Sequence, residues 1–236
     1  MMKKLHRETL AELATAGLLE FIQKQNLQPG DTLPAESILA AEFGVSRQVI
    51  REALKSLQGQ GIIEVLNGKG AIIKPIDGNA LLVFFQRAAQ LNHQTVVELI
   101  EIRKGIEIQS AMLAAERRTA EELAQMGAIV AKMELVPGQA EAYSELDLEL
   151  HLAIASATHN AMLFHLSTSI RQVAKDTILE GLRHRQNAAQ FERVQELHRL
   201  LLADLERGDA QAAGQTMALQ FEEAIQALGH KTETDV

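Results

Sequence analysis

Cysteine and tryptophan are absent from this chain of 236 residues, and proline occurs only four times. Without cysteine, the protein has no disulfide bond, no thiolate nucleophile and no cysteine-ligated zinc, and its composition suits a reducing cytoplasm. The longest uninterrupted apolar run, from Ala80 to Phe85, is far shorter than the roughly 20 residues that a membrane-spanning helix needs. These absences predict a cytoplasmic protein that does not span a membrane.

Charge and turn-forming residues divide the chain into two parts. Residues 1–78 contain nine Lys+Arg and nine Asp+Glu, so the whole net charge of −8 falls on the remainder of the chain. Glycine and proline crowd the first part, and Pro137 is the only proline that follows it. Because the length allows two domains, we expect a first domain at residues 1–75, a linker at residues 76–79 and a second domain at residues 80–230.

Three helices and a hairpin are predicted for the first part. Apolar residues spaced by three and four mark the helices, with Pro34 in the first turn of the second helix, Gly44 ending it and Ser46 capping the third. Two β-branched segments flank the glycine-rich connection around Gly68, as in a hairpin. The predicted elements are helices over residues 10–22, 34–43 and 47–58 and strands over residues 62–65 and 71–74. This order is that of a winged helix-turn-helix.

The second part is almost wholly helical in its apolar periodicity, and it has no strand signal. The predicted helices lie at about residues 80–91, 95–117, 120–134, 139–157, 160–183, 189–206 and 209–228. The fold class predicted for the chain is therefore mainly α, with an N-terminal winged helix-turn-helix that carries a small β-hairpin wing and a C-terminal all-α helical bundle.

The third predicted helix has a polar, mostly cationic face opposite its apolar arc. Arg47 and Arg51 are four residues apart, so both guanidinium groups project from the same side. A helix that lies in the major groove needs this arrangement to reach guanine edges or phosphates, and Gln48 beside them can read adenine. An ordinary amphipathic surface helix is the alternative, but the following hairpin favours DNA, because Gly68 and Lys69 at its tip let the backbone approach a phosphate.

Four short motifs in the first part carry a resemblance to a known family. They are Pro29-Gly30, Leu33-Pro34-Ala35-Glu36, Val45-Ser46-Arg47 and Arg51-Glu52-Ala53-Leu54. With them in register, residues 8–75 resemble the GntR family of bacterial transcription regulators, and residues 80–228 are similar to the all-helical effector-binding (FCD) domain of its FadR-type branch. The resemblance implies that Arg47 and Arg51 contact operator DNA and that Gly68 lies at the wing tip. The full set of predicted DNA-binding residues is Ser46, Arg47, Gln48, Arg51, Gly68 and Lys69.

One position departs from the family pattern in the first part. Ser37 stands where these regulators commonly have a DNA-contacting arginine. The departure removes one cationic contact and so affects operator affinity or sequence preference, although a hydroxyl can still bond a phosphate.

Asp147 and His151 have metal-ligand spacing, since residues four apart on a helix project from one side. Alone, such a pair is more often a surface hydrogen bond, and His198 alone would be a surface histidine. The resemblance implies a divalent metal, with zinc or nickel favoured, held by Asp147, His151, His198 and a fourth residue that is usually His. That fourth position is Gln220, whose amide is a poorer donor than imidazole to these ions.

The glutamine leaves three possibilities for this site: weaker or altered metal binding, a site completed by ligand and water, or a decayed site in which the two histidines bond the effector directly. Arg103 is the predicted effector-binding residue, because the resemblance implies that its counterpart meets an acidic effector, although an intrahelical salt bridge to Glu107 is equally consistent with the spacing. Arg171 is a second, weaker candidate, because the apolar face of its helix does not include it.

The sequence therefore predicts a ligand-responsive DNA-binding transcription regulator. We expect a homodimer that binds double-stranded operator DNA, because a single winged helix makes few contacts, and a repressor that a small carboxylic acid releases. The alternative is a metal-dependent enzyme that uses Asp147, His151 and His198, but no evident general base accompanies them. A third possibility is an architectural protein whose helical domain only dimerises.

Overall fold

A computed structural model describes residues 8–66, 68–90, 93–183 and 188–229 of the chain. It divides between Ala80 and Leu81 into two compact units. The predicted helix end at residue 91, the hairpin residue 67 and the predicted domain end at residue 230 lie outside the described residues.

The first unit contains three helices and a two-stranded antiparallel sheet. Its elements are α1 (Leu10–Lys24), α2 (Glu36–Phe43), α3 (Arg47–Gly59), β1 (Ile63–Leu66) and β2 (Gly70–Ile73). Ile63 pairs with Ile73 and Leu66 with Gly70, so each strand is shifted by one residue from its prediction. Helices and hairpin enclose a core in which Leu18, Leu39 and Ile50 are fully buried.

The prediction that Pro34 lies in the first turn of α2 is wrong. Ala35 is the N-cap and has extended backbone, so the helix begins at Glu36. The chain before it is held against the hairpin, where the Leu33 amide donates to the Ala71 carbonyl at 2.8 Å and Thr32 bridges Ile72. This third, short strand-like contact keeps the proline outside the helix.

The turn between α2 and α3 follows the predicted capping chemistry. Gly44 ends α2 in the left-handed region with φ of 65°, a conformation that glycine adopts at little cost. Ser46 then caps α3, and its hydroxyl accepts a hydrogen bond from the Val49 amide. These two residues fix the direction in which α3 leaves the turn.

The second unit is helical throughout the part of it that the structure describes. Its elements are α4 (Asn79–Ala89), α5 (His93–Arg117), α6 (Ala120–Met133), α7 (Ala140–Ser156), α8 (Ala161–Arg183), α9 (Ala188–Arg207) and α10 (Ala210–Gly229). Helix α5 packs on α7, α8, α9 and α10. The predicted fold class is confirmed. Among the described helices, none combines the length and apolar character that crossing a membrane requires.

Candidate functional site

The outer face of α3 carries the residues predicted to bind DNA. Ile50, Ala53, Leu54 and Leu57 are buried in the first unit, which leaves Arg47, Gln48 and Arg51 exposed. The amphipathic pattern therefore orients the helix so that its polar residues face outward. Ser46 lies at the start of the same face as its N-cap.

Carboxylates engage most of the polar side chains on this face. The Arg51 guanidinium donates to both carboxylate oxygens of Glu36 on α2, at 3.3 and 2.9 Å, and this hydrogen bond with Arg51 lowers the pKa of Glu36. Gln48 donates to Glu52 at 3.1 Å, and Lys55 pairs with the same carboxylate at 3.0 Å. Within the described ranges, Arg47 has neither a hydrogen bond nor an ion pair.

The tip of the hairpin and helix α3 line one cleft of the first unit. Gly68 and Gly70 have φ of 79° and 83°, which side chains other than glycine rarely adopt. Lys69 between them is exposed and lines the cleft together with Arg51 and Lys55. Three cations and the Glu36 carboxylate therefore share one concave surface of the first unit, and the excess of positive charge there suits contact with a phosphate backbone.

Asp147, His151 and His198 meet in the second unit as a buried cluster. Asp147 and His151 lie on α7 and His198 on α9, and one ligand atom from each residue lies within 4.8 Å of the others. The Asp147 Oδ1 atom is 3.2 Å from His198 Nε2 and 3.6 Å from His151 Nε2. Both imidazoles thus direct the same ring nitrogen toward one carboxylate oxygen.

A buried hydrogen-bond chain fixes the protonated nitrogen of His198. The Gln195 amide donates to the Val130 carbonyl at 3.4 Å, so its oxygen accepts from the Tyr143 hydroxyl at 2.8 Å. The Tyr143 oxygen lies 3.0 Å from His198 Nδ1 and can accept a proton there. Because burial lowers the pKa of His198, the neutral ring presents the Nε2 lone pair to Asp147.

Glu107 contacts the other ring nitrogen of His151. Its Oε2 lies 2.6 Å from His151 Nδ1, which is an ion-pair distance without hydrogen-bond geometry. Burial alone would raise the pKa of Glu107, but the nearby Arg171 and Arg103 charges hold it well below its usual range. Glu107 therefore stays ionised in the interior.

These groups fit a divalent cation. The Nε2 atoms of both imidazoles lie within 3.6 Å of one carboxylate oxygen, Asp147 Oδ1. A carboxylate and two histidines, each histidine contacted at its other nitrogen by a buried side-chain oxygen, form a donor set typical of zinc and related ions. Asp147, His151 and His198 are thus the residues that could hold the metal.

Arg171 is the most deeply buried charge of this cluster, and the expectation that it lies off the inward face of α8 is wrong. Its exposed fraction is 0%. It donates to Glu107 through Nε at 2.9 Å and Nη2 at 2.5 Å, and to Asp147 through Nη1 at 3.0 Å. Arg171 does not line the adjoining cavity, so its guanidinium serves the protein's own carboxylates rather than a ligand.

Arg103 differs from Arg171 because it lines the cavity. Its Nε donates to Glu107 at 2.6 Å, which is the intrahelical salt bridge that the spacing allowed. Its guanidinium carbon lies 4.8 Å from the centre of the Phe221 ring, a cation–π distance. For its two Nη groups, no hydrogen-bond partner is found among the residues with described side chains.

The cavity beside the cluster has a volume of about 80 Å³ and is lined mostly by apolar residues. Its polar lining residues are Arg103, Asp147, His151, Thr177, His198, Gln220 and Glu223. Both polar atoms of the Gln220 amide are buried, and neither has a hydrogen-bond partner in the described part of the chain.

Sequence reasoning missed three contributors to the cluster: Tyr143, Gln195 and the central role of Glu107. The sequence spacing indicated Glu107 only as a salt-bridge partner of Arg103. Its contact with Arg171 spans 64 residues of sequence, and the contact between Tyr143 and His198 spans 55. No local pattern reports such long-range contacts.

Comparisons with known proteins agree with this architecture. Residues 10–73 match the family of bacterial regulatory proteins called the gntR family, and residues 98–223 match the FCD domain. The transcriptional regulator LutR of Bacillus subtilis (strain 168) is 33% identical over 67% of this chain and 73% of its own. The galactonate operon transcriptional repressor of Escherichia coli (strain K12) is 30% identical over 79% of this chain and 82% of its own.

A solved structure, Streptococcus agalactiae GntR, shares the fold with a TM-score of 0.70 and 24% identity, covering 92% of this chain and 99% of the other. The relatives are transcription regulators rather than enzymes, so the enzyme alternative is set aside and the prediction of a DNA-binding regulator is confirmed. The chain belongs to the GntR family of bacterial regulatory proteins, in the branch that carries an FCD domain.

Proposed function

We propose that this regulator is a cytoplasmic, homodimeric repressor that a small carboxylic acid releases from operator DNA. The observation that carries the proposal is the buried cluster of Asp147, His151 and His198, which adjoins a cavity lined by Arg103. A metal centre and a guanidinium at one cavity are suited to the two oxygens of a carboxylate.

A divalent ion, with zinc or nickel favoured by the imidazole ligands, would be held by Asp147, His151 and His198. When bound, it supplies positive charge that attracts a carboxylate oxygen of the effector. The protein's own residues orient the site. Glu107 contacts His151, Tyr143 contacts His198, and Arg171 donates a hydrogen bond to Oδ2 of Asp147.

Charge balance favours an anionic effector. Around the cavity, the buried charges of Glu107 and Asp147 are matched by those of Arg103 and Arg171. A divalent ion would add two uncompensated positive charges in a poorly solvated place, which is costly. A carboxylate compensates one of them and a dicarboxylate both, whereas a neutral or cationic ligand compensates neither. Relatives include a repressor of a galactonate operon, which is consistent with an acidic effector.

On the DNA side, we propose that Arg47, Gln48 and Arg51 enter the major groove and that the backbone and side chain of Gly68 and Lys69 approach phosphates. The first part has no net charge, so non-specific attraction is weak and affinity must come from these few contacts. Two copies on a pseudo-palindromic site supply enough of them, which favours a homodimer.

Effector and operator are linked if the acid binds two states of the dimer unequally. A differential affinity of about 100-fold corresponds to roughly 2.7 kcal/mol. That free energy is enough to release the protein from its operator when the protein concentration exceeds the operator dissociation constant only moderately.

Thermal unfolding across a panel of carboxylic acids, with and without added zinc, tests the sensor half of the proposal. We expect at least one acid to raise the melting temperature, with zinc required, and no turnover of that acid. The variant His198→Ala should lose the response, while Arg199→Ala on the exposed face of the same helix should keep it. Stabilisation that is equal with and without metal in the wild type would contradict the metal-dependent site.

A further inference from the structure

The Gln220 amide is a buried polar group that the described fold leaves without a partner. Both Oε1 and Nε2 have almost no exposed surface and make no hydrogen bond to any residue with described side-chain contacts. Buried amides are nearly always hydrogen-bonded, so each exception calls for an explanation. Gln220 lines the same cavity as Arg103, Asp147 and His198, and a bound ligand is the simplest partner.

A metal ion alone does not satisfy this side chain. The ion can take only the amide oxygen, and the NH₂ group would then keep its buried donors unpaired. A ligand that satisfies both ends must offer an acceptor to Nε2 and a donor to Oε1 from adjacent atoms.

Among carboxylate ligands, two chemistries offer an acceptor beside a donor: a carboxylate next to a hydroxyl, and a carboxylate next to an ammonium. The ammonium is disfavoured, because Arg103 lines the same cavity and a divalent ion would lie beside it. The carboxylates of the lining, Asp147 and Glu223, already pair with Arg171 and Arg193. A hydroxyl carries no charge and donates to an amide oxygen without that cost. The choice rests on the proposed carboxylate site.

The size of the cavity limits the ligand further. A water needs about 10–15 Å³ of such space, so a cavity of about 80 Å³ holds on the order of six water-sized groups. This number suits an acid of two to four carbons.

We propose that Gln220 is the effector-specificity residue of this regulator and that its amide recognises the hydroxyl and carboxylate of a small hydroxycarboxylic acid. The inference deepens the proposed function and depends on it. In this assignment Gln220 is not a ligand of the metal, which keeps the three protein ligands Asp147, His151 and His198.

Matched acid pairs that differ by one hydroxyl test the proposal: glycolate with acetate, lactate with propionate, and malate with succinate. Binding to the zinc-loaded full-length protein is measured by titration calorimetry, with both enantiomers of the chiral acids. We expect at least one hydroxy acid to bind about tenfold more tightly than its partner, which is the scale of one good hydrogen bond.

The variant Gln220→Leu should bind both members of that pair with equal affinity and keep its zinc content by elemental analysis. Gln220→Ala is a second variant in case the leucine is not accommodated. Gln215→Leu, at an exposed position of the same helix, is the control and should keep the tenfold preference.

Three results would overturn the inference, and they differ in what else they affect. Loss of zinc from both Gln220 variants would make Gln220 a metal ligand. Equal binding of the paired acids to the wild type, or an undiminished preference in the variants, would remove its role in specificity and leave the carboxylate sensor intact. If no acid binds with or without zinc, the proposed function fails as well.

Discussion

Glu107 is the residue on which the buried charges of the second unit converge. It accepts hydrogen bonds from Arg103 and Arg171, and it contacts His151 through its other oxygen. Arg171 in turn joins Glu107 to Asp147. The Glu107 carboxylate therefore links Arg103, Arg171 and His151, one of the candidate metal ligands. Arg103 also lines the cavity, whereas Arg171 bonds only buried carboxylates.

Replacing Arg171 should damage the fold rather than ligand recognition. Arg171→Leu removes the main countercharge of buried Glu107 and the ion pair of Asp147, and breaking a buried ion pair costs about 3–5 kcal/mol. We expect a large fall in the melting temperature of the metal-free protein. The same change at Arg199, which is exposed, should shift stability by about 0.5 kcal/mol or less. Similar melting temperatures for the two variants would show that the buried network contributes little.

At the scale of elements, local chemistry in the sequence is enough to locate most helices, and it fails where distant backbone intervenes. Thr119 and Glu122 form a capping box at the start of α6, and Gly44 ends α2, both as their residue types indicate. Helix α2 starts later than predicted because Leu33 pairs with Ala71 in the hairpin. That contact joins residues far apart in sequence and leaves no periodic signal.

In the candidate site, too, the sequence predicts the features that depend on local spacing and fails for those that depend on distant residues. The four-residue spacing of Asp147 and His151 is a local pattern, and His198 follows from the resemblance. Arg171 could not be placed correctly, since the carboxylates that draw it inward lie on α5 and α7. Apolar periodicity describes which face of a helix is buried only when the buried residues are apolar.

The ion pair between α2 and α3 makes a prediction about DNA reading. Glu36 holds Arg51 through two hydrogen bonds to the guanidinium, so it restrains the arginine and places a negative charge near the surface that we propose faces DNA. Glu36→Gln should raise affinity for random duplex a few-fold and narrow the ratio of operator to random binding, because phosphate attraction is non-specific and a restrained arginine is selective.

Fluorescence anisotropy with operator and scrambled duplexes, at several salt concentrations, measures this ratio. Glu42→Gln, an exposed change on the same helix, is the matched control and should leave the ratio unaltered. If Glu36→Gln keeps the full discrimination of the wild type, the carboxylate has no part in presenting Arg51.

In the whole molecule, the charge is distributed according to the two proposed functions, DNA binding in the first part and ligand binding in the second. The first part is electrically neutral overall and presents three cations in one cleft, so its DNA affinity depends on a few contacts and is open to regulation. The net charge of −8 lies in the part with the candidate metal centre and the cavity. Under the proposed function, a ligand bound there regulates operator binding only through its differential affinity for two states of the protein.

Operator occupancy as a function of added acid tests this coupling most directly. Zinc-loaded wild-type protein is bound to a labelled duplex from upstream of its own gene, and the acid that stabilises it is titrated in. The proposed coupling predicts release of the duplex by the acid, no release from Arg103→Ala or from chelator-treated protein, and no operator binding by the folded double variant Arg47→Ala/Arg51→Ala. Undiminished occupancy at saturating acid, or sequence-specific binding by that double variant, would contradict it.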